Sequence, residues 1–151
     1  TVSSTVVGDG DPGVILGLVD EESDLYAAAL ASGRIAVMVL REGENQLADR
    51  FAGLLPAPGG LFADGGWERT EYGPVRSGPR TWAGCRLVST QPVGYARLVQ
   101  ATVETVRLAD TGHVAGPGDL TGPGRPDDAG HSDGAERPLV HYRGRYVRLA
   151  T

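Results

Sequence analysis

Glycine and proline recur so often along this chain that they leave room for short β-prone pieces rather than long helices. The 151 residues include 23 glycines and 10 prolines, which mark turns because glycine reaches positive φ and proline fixes φ while removing a donor. A single mainly β, antiparallel domain is therefore expected over 1–151, a length that suits one hydrophobic core. Charge narrows the function. The 14 basic and 19 acidic residues give a net charge of -5, the reverse of a nucleic-acid-binding surface. Every basic residue is arginine, which excludes Schiff-base lysine chemistry and a phosphate loop ending in Gly-Lys. Cys85 has no second cysteine to pair with, and His113, His131 and His141 lack metal-ligand spacing. Apolar runs such as Ile35 to Leu40 fall far short of the ~20 residues of a membrane helix, and the N-terminus carries no basic stretch ahead of an apolar one. A soluble cytoplasmic protein is expected, and the opening Thr1 points to a longer gene product.

Two β-prone runs, Thr1 to Val7 and Val14 to Val19, flank the turn residues 8–13 and predict a hairpin. Ser23 or Asp20 caps a predicted helix over Asp24 to Ser32, which Gly33 closes. Ile35 to Leu40 reads as a buried strand. Leu47, Phe51 and Leu54 then fall at helical spacing and predict an amphipathic helix over Glu42 to Leu54. A loop from Pro56 to Arg80 carries Trp67 and Tyr72. Thr81 to Val93 and Tyr95 to Leu108 read as a long hairpin turning near Gly94. In its second strand Tyr95, Val99, Ala101, Val103 and Thr105 share one parity that Arg97 interrupts, so Arg97 must reach solvent or a partner. The Gly/Pro/Asp-rich stretch 110–137 reads as a flexible loop. Two strand pieces meeting at Gly144 close the chain.

Most short motifs have plain explanations. Gly8-x-Gly10-x-x-Gly13 matches a dinucleotide fingerprint as a string, but a strand follows it instead of the helix whose amides would hold a pyrophosphate. Cys85 sits among apolar strand residues and reads as a buried, inert thiol. The acidic run Asp20-Glu21-Glu22-Ser23-Asp24 complements the positive end of a helix dipole.

Six segments in register nevertheless resemble the flavin reductase-like family: Thr1-Val2-Ser3-Ser4, Asp11-Pro12, Val14 to Val19 with Asp20 and Ser23 behind it, Ala31 to Leu40, Leu47 to Ala52, and Pro138 to Leu149. The resemblance implies an antiparallel split β-barrel of Greek-key type with two short helices, forming a homodimer. It further implies FMN near the subunit interface, NADH or NADPH as co-substrate, and in many members a partner monooxygenase that receives reduced flavin. The family carries a strand ahead of the Thr-Val-Ser-Ser motif, and this sequence opens after it. By the same resemblance Thr1, Val2, Ser3 and Ser4 lie along the isoalloxazine and ribityl chain, where amides and small hydroxyls suit flavin's carbonyls, nitrogens and hydroxyls. Asp20, Ser23 and Arg97 complete the candidate cofactor contacts. Ser23 matches a serine of the Ser-Ser-Arg-Thr-like segment that holds the phosphate.

Departures from the pattern carry a sign. Glu22, Asp24 and Leu25 stand where serine, arginine and threonine are common. A carboxylate ~4 Å from a phosphate costs roughly 1 kcal/mol in water and about 4 at an effective dielectric of 20, and each lost charged hydrogen bond forfeits ~1.5–3. Weak or altered FMN binding is the expectation. Ala96 replaces the histidine of a Gly-Asp-His-Thr-like segment, which removes the family's usual acid–base candidate and leaves the catalytic residue unassigned. Hydride transfer depends mainly on stacking and orientation, so a reductase remains the first reading. The second is a catalytically degenerate homologue serving as a dimeric binding or partner subunit.

Overall fold

A computed structural model describes residues 2, 4–109, 114–115, 137–142 and 144–148. In chain order its elements are β1 (Thr5–Gly8), β2 (Val14–Asp20), α1 (Asp24–Ser32), β3 (Arg34–Met38), α2 (Asn45–Phe51), β4 (Trp67–Thr70), β5 (Gly73–Arg76), β6 (Trp82–Val93), β7 (Ala96–Arg107), β8 (Val114–Ala115), β9 (Val140–Tyr142) and β10 (Arg145–Val147). The mainly β, antiparallel architecture with two short helices is thus the observed one. The described residues group into a larger unit, those of 2–38 with those of 65–115, and a smaller one, those of 39–64 with those of 137–148.

The larger unit is built on an antiparallel sheet of order β1-β2-β7-β6-β3, with β8 also pairing β7. The expected hairpins are present. β1 and β2 pair from Gly8↔Val14 to Thr5↔Gly17. β6 and β7 pair up to Val93↔Ala96, leaving Gly94 and Tyr95 as a two-residue connection. Gly94 has φ 58°, a value that the first residue of such a turn needs and that glycine adopts without strain. Tyr95 belongs to this turn and stands fully exposed, so the apolar row of β7 begins beyond it, with Val99, Ala101 and Val103 buried. Cys85, Ala101 and Val103 form one core cluster with Ile15, Ile35, Val37, Ala83 and Val106 against it. Val19, Tyr26 and Val99 form a second, with Leu87.

Helix α1 has the predicted bounds because both ends are set by local chemistry. The Ser23 hydroxyl accepts the Tyr26 amide at 3.2 Å, and Gly33, at φ 68°, donates its amide to the Ala29 carbonyl at 2.9 Å. The predicted loop 56–80 instead contains the β4–β5 hairpin, which is a correction. The Thr70 hydroxyl organises its turn, donating to the Gly73 carbonyl at 2.7 Å and accepting the Tyr72 amide at 3.1 Å. Arg107 ties β7 to β4 through Glu68 at 3.0 Å. Within the predicted loop 110–137, Val114 and Ala115 pair with Arg107 and Val106; residues 110–113 and 116–136 lie outside the described residues.

In the smaller unit α2 is shorter than the predicted 42–54. The segment before it is spent on other bonds: Glu44 accepts the Arg41 amide on its carboxylate at 2.8 Å, and the Glu42 amide donates to the Arg137 carbonyl at 2.8 Å. Gly53, at φ 73°, ends the helix. Tyr146 donates its hydroxyl to Asp49 of α2, which together with burial raises the phenol's pKa. Phe51 meets Phe62 edge-on at 5.4 Å, and β9 pairs β10 across the Gly144 turn.

Cys85 behaves as read from sequence. It is fully buried, and burial pushes its thiol up to about 11. At pH 8 only about one thiol in a thousand is then ionised, against roughly a quarter of free cysteine. Native protein is expected to resist iodoacetamide for hours and denatured protein to be alkylated in minutes, as intact-mass measurement reads directly. The sign for stability follows. The folded state holds this proton more tightly than the unfolded one, so the contribution is full below about pH 8.5 and declines as pH rises toward 11.

Candidate functional site

The C-terminal half of β2 is where the sequence candidates converge. Antiparallel pairing with β7 sets Val19 opposite Arg97 and Asp20 opposite Ala96. On the other side of β2 the Ser4 carbonyl accepts the Leu18 amide at 3.1 Å, which draws Ser4 alongside the same strand. Val2 lies here as well: a Cβ at Gly17 would stand 3.7 Å from Val2 Cγ1 and 3.9 Å from the Ser4 carbonyl oxygen. The structure therefore brings Val2, Ser4, Asp20, Ser23 and Arg97 to one end of β2 and the start of α1. Thr1 and Ser3 lie outside the described residues.

Several polar groups at this end hold the local fold. The Asp20 carboxylate accepts the Glu22 amide at 3.0 Å, which turns the chain toward α1 in the manner of an Asx turn. The Asp20 carbonyl takes the Ser23 hydroxyl at 2.6 Å and the Ser23 amide at 3.2 Å. Ser23 therefore spends its proton inward and its oxygen on Tyr26. Tyr26 is buried and shares a 3.2 Å hydrogen bond with the Thr90 hydroxyl of β6, which fastens α1 to the sheet. Arg97 meets the requirement for a partner by pairing with Glu21. That hydrogen bond holds the Glu21 carboxyl below the usual range and raises Arg97. Arg97 Nε is itself buried and carries no hydrogen bond among the described residues.

The Glu21 pairing is the part that sequence reasoning missed. The two residues are 76 positions apart, and no local pattern connects them. The β2–β7 register connects them, because Arg97 faces Val19 and the turn carrying Glu21 begins one residue later. Ala96 leaves a methyl group beside Asp20, with no titratable atom in the place of the family's histidine. His141 is exposed in the smaller unit, with its ring 5.2 Å from that of Tyr146; His113 and His131 lie outside the described residues.

A family model described as flavin reductase like domain matches residues 1–150. The chain belongs to the flavin reductase-like family. It is 30% identical over 107 residues to FMN reductase (NADH) RutF 1 of Methylorubrum extorquens, an alignment covering 70% of this chain and 53% of that protein. The chain thus spans about half the length of the curated relatives it matches. Among solved structures, NADH:FAD oxidoreductase SgcE6 of Streptomyces globisporus superposes with a TM-score of 0.71 at 18% identity, covering 99% of this chain and 71% of the other. Nitrilotriacetate monooxygenase component B of Mycobacterium thermoresistibile superposes with a TM-score of 0.68 at 22% identity, covering 99% and 70%. Likeness at these identities establishes the fold, the split β-barrel of the flavin reductase-like proteins. No helix among the described residues is long and apolar enough to cross a membrane.

How the residues suit a flavin differs between its two ends. The ring and ribityl chain need backbone amides, small hydroxyls and close approach. Exposed Ser4, and Ala96 with only a methyl, offer these. A tail phosphate needs cations and free donors, and here Arg97 is held by Glu21 while the Ser23 proton is directed to Asp20. The chemistry of these residues suits hydroxyls and ring carbonyls better than it suits a phosphate.

Proposed function

We propose that the chain is a flavin reductase in which flavin and NADH or NADPH are substrates, FMN being bound weakly through its ring and ribityl chain. The observation that carries this reading is the convergence of Val2, Ser4, Asp20, Ser23 and Arg97 on the C-terminal half of β2, in a chain of flavin reductase-like sequence. The nicotinamide supplies a hydride, an electron pair with its proton, to flavin N5. The protein's part is to hold the two rings in contact and to keep water out, which is enough for a transfer whose redox chemistry resides in the substrates. Ser4 and the backbone along β2 orient the ring system. Ala96 has no proton to give, so flavin N1 acquires its charge or proton without a histidine.

A homodimer is part of the proposal. Val6 and Val7 of β1 are 62% and 71% exposed, and Val88 and Val93 of β6 are 50% and 45% exposed, apolar surface of the kind that association covers. A partner monooxygenase receiving the reduced flavin is proposed by analogy with the component B relative. A degenerate binding subunit is the second reading, and Ala96 is the observation that favours it.

Fluorescence titration of riboflavin and FMN into the protein, followed by NADH without oxygen, separates the two readings. Saturable quenching and then bleaching of the visible flavin band is expected of the reductase. Saturable quenching with no bleaching would support the binding subunit. A Ser4→Ala variant is expected to weaken flavin several-fold with an unchanged melting temperature, because the hydroxyl is exposed and outside the bonds among the described residues, and the carbonyl that meets Leu18 is retained.

A further inference from the structure

We infer that this site selects flavin by its uncharged ring-and-ribityl part and penalises the tail phosphate, with Glu21 as the residue that sets the penalty. The inference rests on the flavin reading above and concerns which flavin is taken: riboflavin at least as well as FMN. Four carboxylates, Asp20, Glu21, Glu22 and Asp24, stand at the end of β2 and the start of α1. Arg97 is the guanidinium that the β2–β7 register brings beside them, and its charge is committed to Glu21. A phosphate arriving there meets three carboxylates more than can be matched by that one cation. It also meets a serine whose hydroxyl is already donated to the Asp20 carbonyl at 2.6 Å. The carboxylates further occupy the positive end of the α1 dipole, the feature an anion would otherwise use. Riboflavin presents only hydroxyls at that end and incurs none of this repulsion.

Glu21 is distinguished from its neighbours because it is both a repelling charge and the clamp on Arg97. Removing its charge loosens the Nη2 bond that holds the Arg97 guanidinium on Glu21. A freed guanidinium takes a phosphate in fork geometry.

The test uses the full chain and two probes, riboflavin and FMN, titrated under identical conditions at low and high salt. In the unsubstituted protein FMN is expected to bind no tighter than riboflavin, and added sodium chloride is expected to bring FMN closer to riboflavin by screening the carboxylates. Glu21→Gln is expected to lower the ratio of the FMN to the riboflavin dissociation constant by roughly tenfold, the scale of one charged hydrogen bond gained. The Glu21→Gln/Arg97→Ala double variant is expected to lose that gain. If the unsubstituted protein binds FMN tenfold tighter than riboflavin, or salt weakens FMN alone, this inference is overturned while the reductase reading stands. If neither flavin binds, the reductase reading falls and this inference with it. The unsubstituted protein alone can overturn the inference, so a poorly folded variant does not shield it.

Discussion

Tyr26→Ala is expected to destabilise the chain by about 3–5 kcal/mol, the cost of emptying a large aromatic site in a core. Tyr26 of α1 is buried in one core cluster with Val19 of β2 and Val99 of β7, and its hydroxyl bonds Thr90 of β6 at 3.2 Å. Losing it removes the packing that holds α1 on the sheet, and with α1 the turn that carries Asp20, Glu21 and Ser23. Flavin affinity is therefore expected to fall together with the denaturation midpoint. Tyr26→Phe separates the two contributions: it keeps the ring and removes one hydrogen bond, at about 0.5–1.5 kcal/mol. Urea titration of both variants checks the difference. Equal losses would mean that the ring's packing against Val19 and Val99 contributes little.

The second large effect is expected at Gly84, where alanine should cost about 1–3 kcal/mol through overpacking. Gly84 is buried in β6 opposite Ala36 and Thr105. A Cβ there would sit 2.3 Å from Tyr72 Cδ2 and 2.6 Å from Cγ, so the ring must leave. It has little room to do so. The Arg34 guanidinium lies 5.5 Å from its centroid and the Trp82 ring 6.4 Å from it. Its hydroxyl donates to Glu104 at 3.4 Å, and its backbone closes the β4–β5 turn. A drop of several degrees in thermal midpoint is expected. In a Tyr72→Ala background the same substitution should cost much less, a coupling that a double-mutant cycle measures. Additive losses would show that the ring does not seat on Gly84.

The elements that were legible in the sequence are those whose causes are local. Ser23 and Gly33 mark the two ends of α1 because a cap and a left-handed residue act within three or four positions of themselves. Gly94 marks the β6–β7 turn for the same reason, and the alternation of Val99, Ala101 and Val103 gives the buried face of β7. The β4–β5 hairpin was not legible because Trp67-Glu68-Arg69-Thr70 and Gly73-Pro74-Val75-Arg76 are four-residue strands set among glycines and prolines. What makes them strands is pairing with each other, and the seat for Tyr72 is a glycine twelve positions away. The candidate site divides in the same way. Asp20, Ser23 and Ser4 could be placed from a family resemblance carried by contiguous motifs. The Glu21–Arg97 pair could not, because it exists only once the β2–β7 register is known, and the charge filter proposed above rests on it.

The proposed reaction moves hydride from a nicotinamide to a flavin without a histidine at position 96. The most direct measurement is anaerobic mixing of the protein, in catalytic amount, with excess NADH or NADPH and riboflavin, following the flavin's visible absorbance. Bleaching of many flavin equivalents per protein is expected, at a rate proportional to protein concentration. Bleaching no faster than in a protein-free control, with either nicotinamide and with flavin shown to be bound, would contradict it and leave a split barrel that holds flavin without reducing it.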